Sequence, residues 1–512
     1  MLKTLSAKKK HYLILLAILI VYFLLTLFRL IKLPVFADEA IYIRWTQLII
    51  DDWRRYLFFP MNDGKTPLQM WLMIPFQFMF TNPLFAGRFL SVLIGAGNVL
   101  IIGLIGKEFS KDTKQQQLVQ YLAMLMTILS PFTFFHHRMA LTDALLFFNL
   151  NLSFYFGLKF LKNIKLKYLL LLSLSFFLAL FSKLSALLFI PSLLVLFVLF
   201  FYSKKFDVKS LGKNILALAL ALGLGLLLFY SFKRLAVFPQ IFSRGGDFLH
   251  PLSSLFKIEV INTTFNNLKF FIEQYLQYFA LGLLLLAFVF FNKEQRKEQL
   301  LLLTSFLAFI LPLACMGKII YPRYLLPASL FLIISAALNL TYLFTQKKLI
   351  YRIIGGLLAI SILIQSFGFI IPSYFSIDDI PFSRADRAQY LEEWSSGQGI
   401  YEVSQLMLES KEKQSLAVAT EGYFGTLPDG ILMYLHQKNL TNLVVEGIGQ
   451  PISAIPENFI EKSRNYKNVW LLVNSHRLRI DLDKRYLLHE YCRPNEAPCL
   501  QLWDISFLIP KK

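Results

Sequence analysis

Acidic side chains are scarce in the first 372 residues of this 512-residue chain. Five of the fourteen fall in one stretch: Asp38, Glu39, Asp51, Asp52 and Asp63. A carboxylate pair such as Asp38-Glu39 can serve as a general base or as a metal ligand. The same pair opening an amphipathic stretch, Ala40 to Leu57, can equally do no more than favour a helix dipole. Cations follow at intervals: Lys65, then Arg138 behind His136-His137 with Asp143 just after it, then Arg323. Each alone is the kind of side chain that snorkels from an apolar surface. Taken together they suit a phosphorylated substrate, because Lys offers a point charge and Arg a fork that matches phosphate oxygens.

The elements that must carry these groups are apolar. Hydrophobic residues make up 56% of the chain, charged residues 16%, and the mean hydropathy is +0.55. A soluble domain carries about 25% charge and roughly 45–50% apolar residues. The balance excludes an ordinary cytosolic enzyme, a disordered chain and a disulfide-rich secreted module. The net charge is +23 over residues 1–372 and −3 over 373–512. That excess of cations lies in short loops between apolar runs, the pattern that orients a membrane protein, and no nucleic-acid partner is implied.

Eleven segments are long enough to cross a bilayer, near residues 11–33, 84–106, 118–136, 142–160, 168–183, 184–202, 214–232, 269–291, 299–316, 323–345 and 350–371. A further run, Leu68 to Phe80, has thirteen residues and contains Pro75, which suits an interfacial helix. With that run outside the count, every strongly basic short loop, such as Lys204/Lys205/Lys209/Lys213, falls on the side of the N-terminus. The positive-inside rule then puts the N-terminus in the cytoplasm, with the first segment as a retained anchor. Residues 34–83, 136–142, 233–268, 317–323 and everything after 372 face outward, so the candidate groups share one side. Two domains are expected: a transmembrane module over 1–372, with 34–83 as its first outside loop, and an extracytoplasmic α/β domain over 373–512. In the latter, Ser383 to Glu412 has helical periodicity, while 416–420, 442–447 and 468–474 read as strands. Cys492 and Cys499, with six residues between them, allow either a disulfide or two free thiols in an oxidising compartment.

The strings FADEAIYIRW, NDGKTPLQMW, AGRFLSVLIGAGN, HHRMALTDALLFFN and PRYLLPA, in that order, resemble the GT-C glycosyltransferases. The group of protein O-mannosyltransferases and lipid A aminoarabinose transferases is the most similar. The resemblance spans about residues 11–345 and, weakly, the tail. It implies a GT-C type polytopic fold, a polyprenyl-phosphate-sugar donor, and inverting transfer to an acceptor hydroxyl on a lipid, glycan or protein. It also implies that Asp38, first of the acid pair, is essential and that Lys65, in the Lys-x-Pro pattern, meets the donor phosphate. Asp143 would line the cavity, and the RYLLP pattern corresponds to Arg323. Where some relatives place a metal-ligating carboxylate directly before the lysine, this chain has Gly64. A divalent ion is thereby left open, with Asp63 and His250 as weak candidates for its ligands.

The chemistry that follows has Asp38, with Glu39 and Asp143 as further catalytic candidates, taking the acceptor proton. Lys65, Arg138 and Arg323 stabilise the charge growing on the departing phosphate. One base with several cations fits this better than the paired carboxylates of glycoside hydrolases. A multi-pass transporter and a ligase or polymerase of lipid-linked glycans are the rival readings; the first usually shows mid-membrane charges and paired repeats, which are not apparent here. A bacterial plasma membrane is the expected location.

Overall fold

The computed structural model describes residues 7–202, 208–289 and 291–510, so Lys204 and Lys205 of the basic loops lie outside the described residues. It forms two compact units. The first comprises residues 1–28, 57–69 and 89–375; the second comprises 29–56, 70–88 and 376–512.

The first unit is helical and apolar. Among the described residues seven helices are long and apolar enough to cross a membrane, counting Lys8–Leu27 and Pro83–Phe109, whose first turn belongs to the second unit. The other five are Thr142–Asn163, Lys209–Arg234, Arg296–Met316, Pro322–Thr345 and Leu349–Phe375. A bent pair, Ile258–Tyr278 with Leu281–Phe288, broken by 119°, makes an eighth if it is counted as one span. The remaining three segments of the eleven expected are shorter apolar helices, Gln116–Leu129, Leu166–Ser182 and Leu184–Phe200. The shortening has local causes. Ser130-Pro131 ends the helix from Gln116 and starts a separate turn, Pro131–His136, because proline lacks the amide that would continue it. At the bent pair, Asn339 Nδ2 donates to the carbonyls of Leu286 (2.7 Å) and Val289 (2.9 Å), satisfying a helix end that would otherwise be orphaned.

Helices Thr142–Asn163 and Leu166–Ser182 form a hairpin and pack along their lengths. The hairpin therefore returns the chain to the end from which Thr142 started. The run from Leu68 is a helix ending at Met79, 12 residues long with Pro75 inside.

The second unit holds a five-stranded sheet in the order β2-β1-β3-β5-β4, with β1 Leu416–Thr420, β2 Leu443–Gly447, β3 Asn468–Asn474, β4 Leu487–Tyr491 and β5 Leu500–Asp504. β1 pairs in parallel with both β2 and β3; β5 joins β3 and β4 antiparallel. Every residue of β1 is buried, as expected of a central parallel strand covered on both faces. Its Ala417 and Ala419 pack with Val469, Leu471, Val473, Phe459 and Trp503. β4 is a mostly exposed edge interrupted by a bulge between Leu487 and His489, a common way of blunting an edge. Cys492 and Cys499, just before β5, are joined in a disulfide.

The helical periodicity read over Ser383 to Glu412 is broken in the structure. Short turns end at Glu392, and helix Ile400–Lys413 begins only after a loop. Gly399 ends that loop in the left-handed region, φ +80°, where a Cβ would also meet the Tyr491 ring.

Candidate active site

The Asp-Glu pair opens the helix Ala37–Asp51 in the second unit. The two acids have different surroundings. Glu39 is fully buried and bound by Arg88, with Nε to Oε1 at 2.8 Å and Nη2 to Oε2 at 2.7 Å. Arg88 Nη1 also donates to the carbonyls of Leu30 (3.0 Å) and Leu33 (2.9 Å), and Nη2 to that of Pro34 (3.0 Å). All five N–H donors of a guanidinium are used in this way. Glu39 Oε2 accepts the Phe36 amide as well (3.1 Å), the reciprocal half of a capping box. Glu39 therefore cannot take a proton from a substrate without breaking this frame. Its bonds hold the start of this helix in place beside Asp38. Asp38 is half-buried in the first turn of the helix.

The rest of the helix is tied to the tail. Gln47 Nε2 donates to the Met433 carbonyl (2.9 Å), and Asp51 Oδ1 lies 2.9 Å from His436 Nε2. Asp429 accepts the Gly425 amide (2.7 Å). Burial pushes the Asp429 carboxyl up to about 6 from 3.8, against the opposing pull of that amide and of Arg44. In the unfolded chain the group titrates lower, so between roughly pH 4 and 6 the folded state binds the extra proton. Stability is thus highest with Asp429 protonated and declines by about 3 kcal/mol as pH rises through that window. Thermal melts at pH 4.5 and 7 should show a smaller decline for Asp429→Asn than for the wild type; equal declines would refute the assignment.

The first unit holds a separate charged cluster. Asp143, in the first turn of Thr142–Asn163, is 2.8 Å from Lys183 Nζ and 3.8 Å from Arg323 Nε. Lys183 directly follows Leu166–Ser182, and Arg323 lies in the first turn of the 3-10 segment Pro322–Ala328. The cluster thus forms where three segments begin or end. Lys183 lies over the Tyr324 ring at 4.3 Å, and Arg323 over Tyr321 at 4.8 Å. One buried carboxylate facing two cations leaves the group with a net positive charge. Asp143, a catalytic candidate from the sequence, is engaged here as the anchor of the two cations.

Arg138 is anchored elsewhere in the first unit. It donates to the Phe28 carbonyl (3.2 Å) and lies over the rings of Phe134 (4.9 Å) and Tyr374 (5.1 Å). Lys65 is half-buried, its amide bonded to the Pro60 carbonyl. Asp63 is paired with Arg244 at 3.1 Å, and the His250 amide donates to Met316. Among the described residues neither belongs to a group of three ligand-type side chains close enough to share an ion. Among the described residues the one cluster of three ligand-type groups is Glu490 with Cys492 and Cys499, whose sulfurs are bonded to each other. No catalytic step is assigned to a metal ion.

Three partners escaped the sequence reading: Arg88, Lys183 and Arg244. A signal existed for the first two. An arginine a few residues inside a long apolar helix is seldom without a partner, and a helical hairpin brings the residue after its second arm back beside the start of its first.

Residues 64–230 match the model of the Dolichyl-phosphate-mannose-protein mannosyltransferase family. The fold is similar to the crystal structure of ArnT from Cupriavidus metallidurans bound to undecaprenyl phosphate. The TM-score is 0.57 and the identity 13%, over 99% of this chain and 100% of that one. It is also similar to the oligosaccharyltransferase of Archaeoglobus fulgidus in the apo form, with a TM-score of 0.52 and 11% identity over 91% of this chain and 70% of that one. The same enzyme tethered to an acceptor peptide containing the NVT sequon gives 0.51 and 11%, over 98% and 75%. No curated protein sequence matches. A multi-pass helical unit and a small C-terminal α/β sheet make this a polytopic membrane protein whose fold is similar to those of ArnT and the archaeal oligosaccharyltransferase.

Proposed function

We propose that the chain is an inverting glycosyltransferase that moves a sugar from a polyprenyl-phosphate carrier to an acceptor hydroxyl outside the membrane. The observation that supports this most is the Asp143–Lys183–Arg323 cluster, two cations for one acid with Asp143 and Arg323 buried and Lys183 half-buried. Such a group suits the leaving phosphate of this reaction. When the C1–O bond to the carrier breaks, the electron pair stays on a phosphate oxygen, and fixed cations stabilise that charge without reorganising. The phosphate needs no proton to leave, so a single base suffices. Asp38 is that base: it takes the acceptor hydroxyl proton as the oxygen attacks the face opposite the departing phosphate. Lys65 and Arg138 are assigned to the carrier headgroup with Lys183 and Arg323. The undecaprenyl phosphate held by the ArnT structure is consistent with this class of carrier. The N-terminus is assigned to the cytoplasm and the tail to the outside of a plasma membrane.

The test is the lipid-linked sugar pool of cells carrying the wild-type chain or Asp38→Asn, read by mass spectrometry. Accumulation of one polyprenyl-phosphate sugar in the variant alone supports the class and names the donor; identical pools in cells with folded, expressed protein refute it. Lys183→Met provides a second check. Removing one cation from the cluster should lower kcat/KM for the carrier-linked sugar by roughly tenfold to a hundredfold, the scale of one lost charge-assisted bond. Unchanged kcat/KM would detach the cluster from the phosphate.

A further inference from the structure

The sheet changes direction at one point. β1 leads through helix Asp429–Leu435 to β2 on one side, and β2 leads through Glu457–Ser463 to β3 on the other. In open α/β sheets the crevice beyond the carboxyl ends of two such strands is where ligands bind. Here it is bounded by Glu421, directly after β1, and Asn474, the last residue of β3. Glu421 is 2% exposed and accepts from the Asn474 amide (2.8 Å), Asn474 Nδ2 (2.6 Å) and Arg477 Nη1 (2.9 Å). The Arg477 guanidinium lies over the Trp394 ring at 4.7 Å. Arg493, within electrostatic reach of Glu421 and Arg477, donates through Nη2 to the Ser396 carbonyl (2.8 Å).

Two further observations point to a ligand. Four buried polar atoms around this point have no hydrogen-bond partner in the protein: Thr420 Oγ1, Asn474 Oδ1, Ser396 Oγ and Arg493 Nε. Leaving such atoms unsatisfied is costly, so a concentration of them marks a place where water or a polar ligand completes the bonding. Beside them the loop after β1 exposes Tyr423 (73%) and Phe424 (64%), and the segment before helix Ile400–Lys413 exposes Trp394 (38%). Glycines hold these rings close to bare backbone. The Gly422 amide donates to the Gly449 carbonyl (2.8 Å), and a Cβ on Gly449 would lie 3.0 Å from the Tyr423 hydroxyl. A Cβ on Gly425 would lie 3.5 Å from the ring of Trp394, whose carbonyl accepts from Thr426 Oγ1 (3.0 Å). Gly422, Gly425 and Gly449 all have positive φ, a backbone that other residues rarely adopt.

We propose that this edge of the tail domain binds the acceptor, and that the acceptor is a saccharide. Pyranose rings present a face of C–H bonds and a rim of hydroxyls. The faces stack on Trp394 and Tyr423, whose ring faces are electron-rich. The rim hydroxyls meet Glu421, Asn474 and Arg477, planar groups that bond in pairs. A lipid surface would use the exposed rings but not the buried polar atoms between the strand ends. The inference rests on the glycosyltransferase reading and deepens it by naming the acceptor class.

The experiment uses the full chain in phosphatidylcholine nanodiscs, titrated by calorimetry with chitohexaose, mannohexaose and a hyaluronan hexasaccharide. At least one should bind, and Trp394→Ala and Tyr423→Ala should each weaken that binding by about tenfold. Undecaprenyl phosphate, titrated as a folding control, should bind all three proteins alike. No binding by any of the three saccharides, or binding unaltered by the substitutions, overturns the inference. So does bromolipid quenching of wild-type tryptophan emission that is lost in Trp394→Ala, since that ring would then lie in the bilayer. The two levels fail separately: saccharide binding reports on this edge without turnover, whereas the Asp38→Asn lipid pools report on the reaction alone.

Discussion

Asp38→Asn is expected to lower turnover by about 10²–10⁴-fold, the range for loss of a general base. The substitution is nearly isosteric, so the first turn of Ala37–Asp51 keeps its shape. The exchange of a charge for a dipole at the helix start costs no more than about 1 kcal/mol of stability. The carrier phosphate is assigned to Lys65, Arg138, Lys183 and Arg323 and not to Asp38, so KM for the donor should change little while kcat falls. That split distinguishes a base from a residue that merely holds the donor. Steady-state transfer with a defined polyprenyl-phosphate sugar reads it directly. Turnover near the wild-type rate would remove Asp38 from the chemistry, and a rise in KM at constant kcat would reassign it to binding.

Arg88→Met should be the most destabilising single change in the second unit, by about 3–5 kcal/mol, because it leaves a fully buried carboxylate without its counter-ion. It also orphans the carbonyls of Leu30, Leu33 and Pro34, which Arg88 gathers into one bend. Glu39→Gln is the milder partner: an amide can still accept one guanidinium bond. The double change Arg88→Met with Glu39→Leu should recover part of the loss, since it removes the buried charges together; thermal melts of the four proteins give the coupling as a double-mutant cycle. Purely additive losses would mean that the pair does not act as one element. Activity should fall with stability in Arg88→Met, because the carbonyls it holds lead into the turn that presents Asp38.

The membrane-spanning part and the outline of the tail were legible because they rest on local patterns. Apolar length marks spans, and fully buried β-branched runs such as Leu416–Thr420 mark central strands. β4 and β5 were not legible: Leu487–Tyr491 is mostly exposed, so no face of it repeats with period two. The site was legible in residue type and not in role. Asp38 and Glu39 are neighbours of like chemistry, and what separates them is Arg88, 49 positions from Glu39 along the chain. Asp143 and Arg323 stood out as polar groups at span ends, but their shared partner Lys183 looked like an interfacial lysine until the hairpin geometry was considered.

The helix that carries Asp38 is completed by residues made very late. Its Gln47 bonds to Met433, 386 positions away, and Val35 receives the Gly397 amide. At about 5–20 residues per second, a ribosome takes on the order of 20–80 s to supply that partner. By then the apolar helices between them have already been handed to the membrane. A newly made copy therefore spends most of its synthesis with its acid-bearing helix unsupported. The support of that helix is thus supplied by the last quarter or so of translation, and a chain stopped after Phe375 would carry its apolar helices without it.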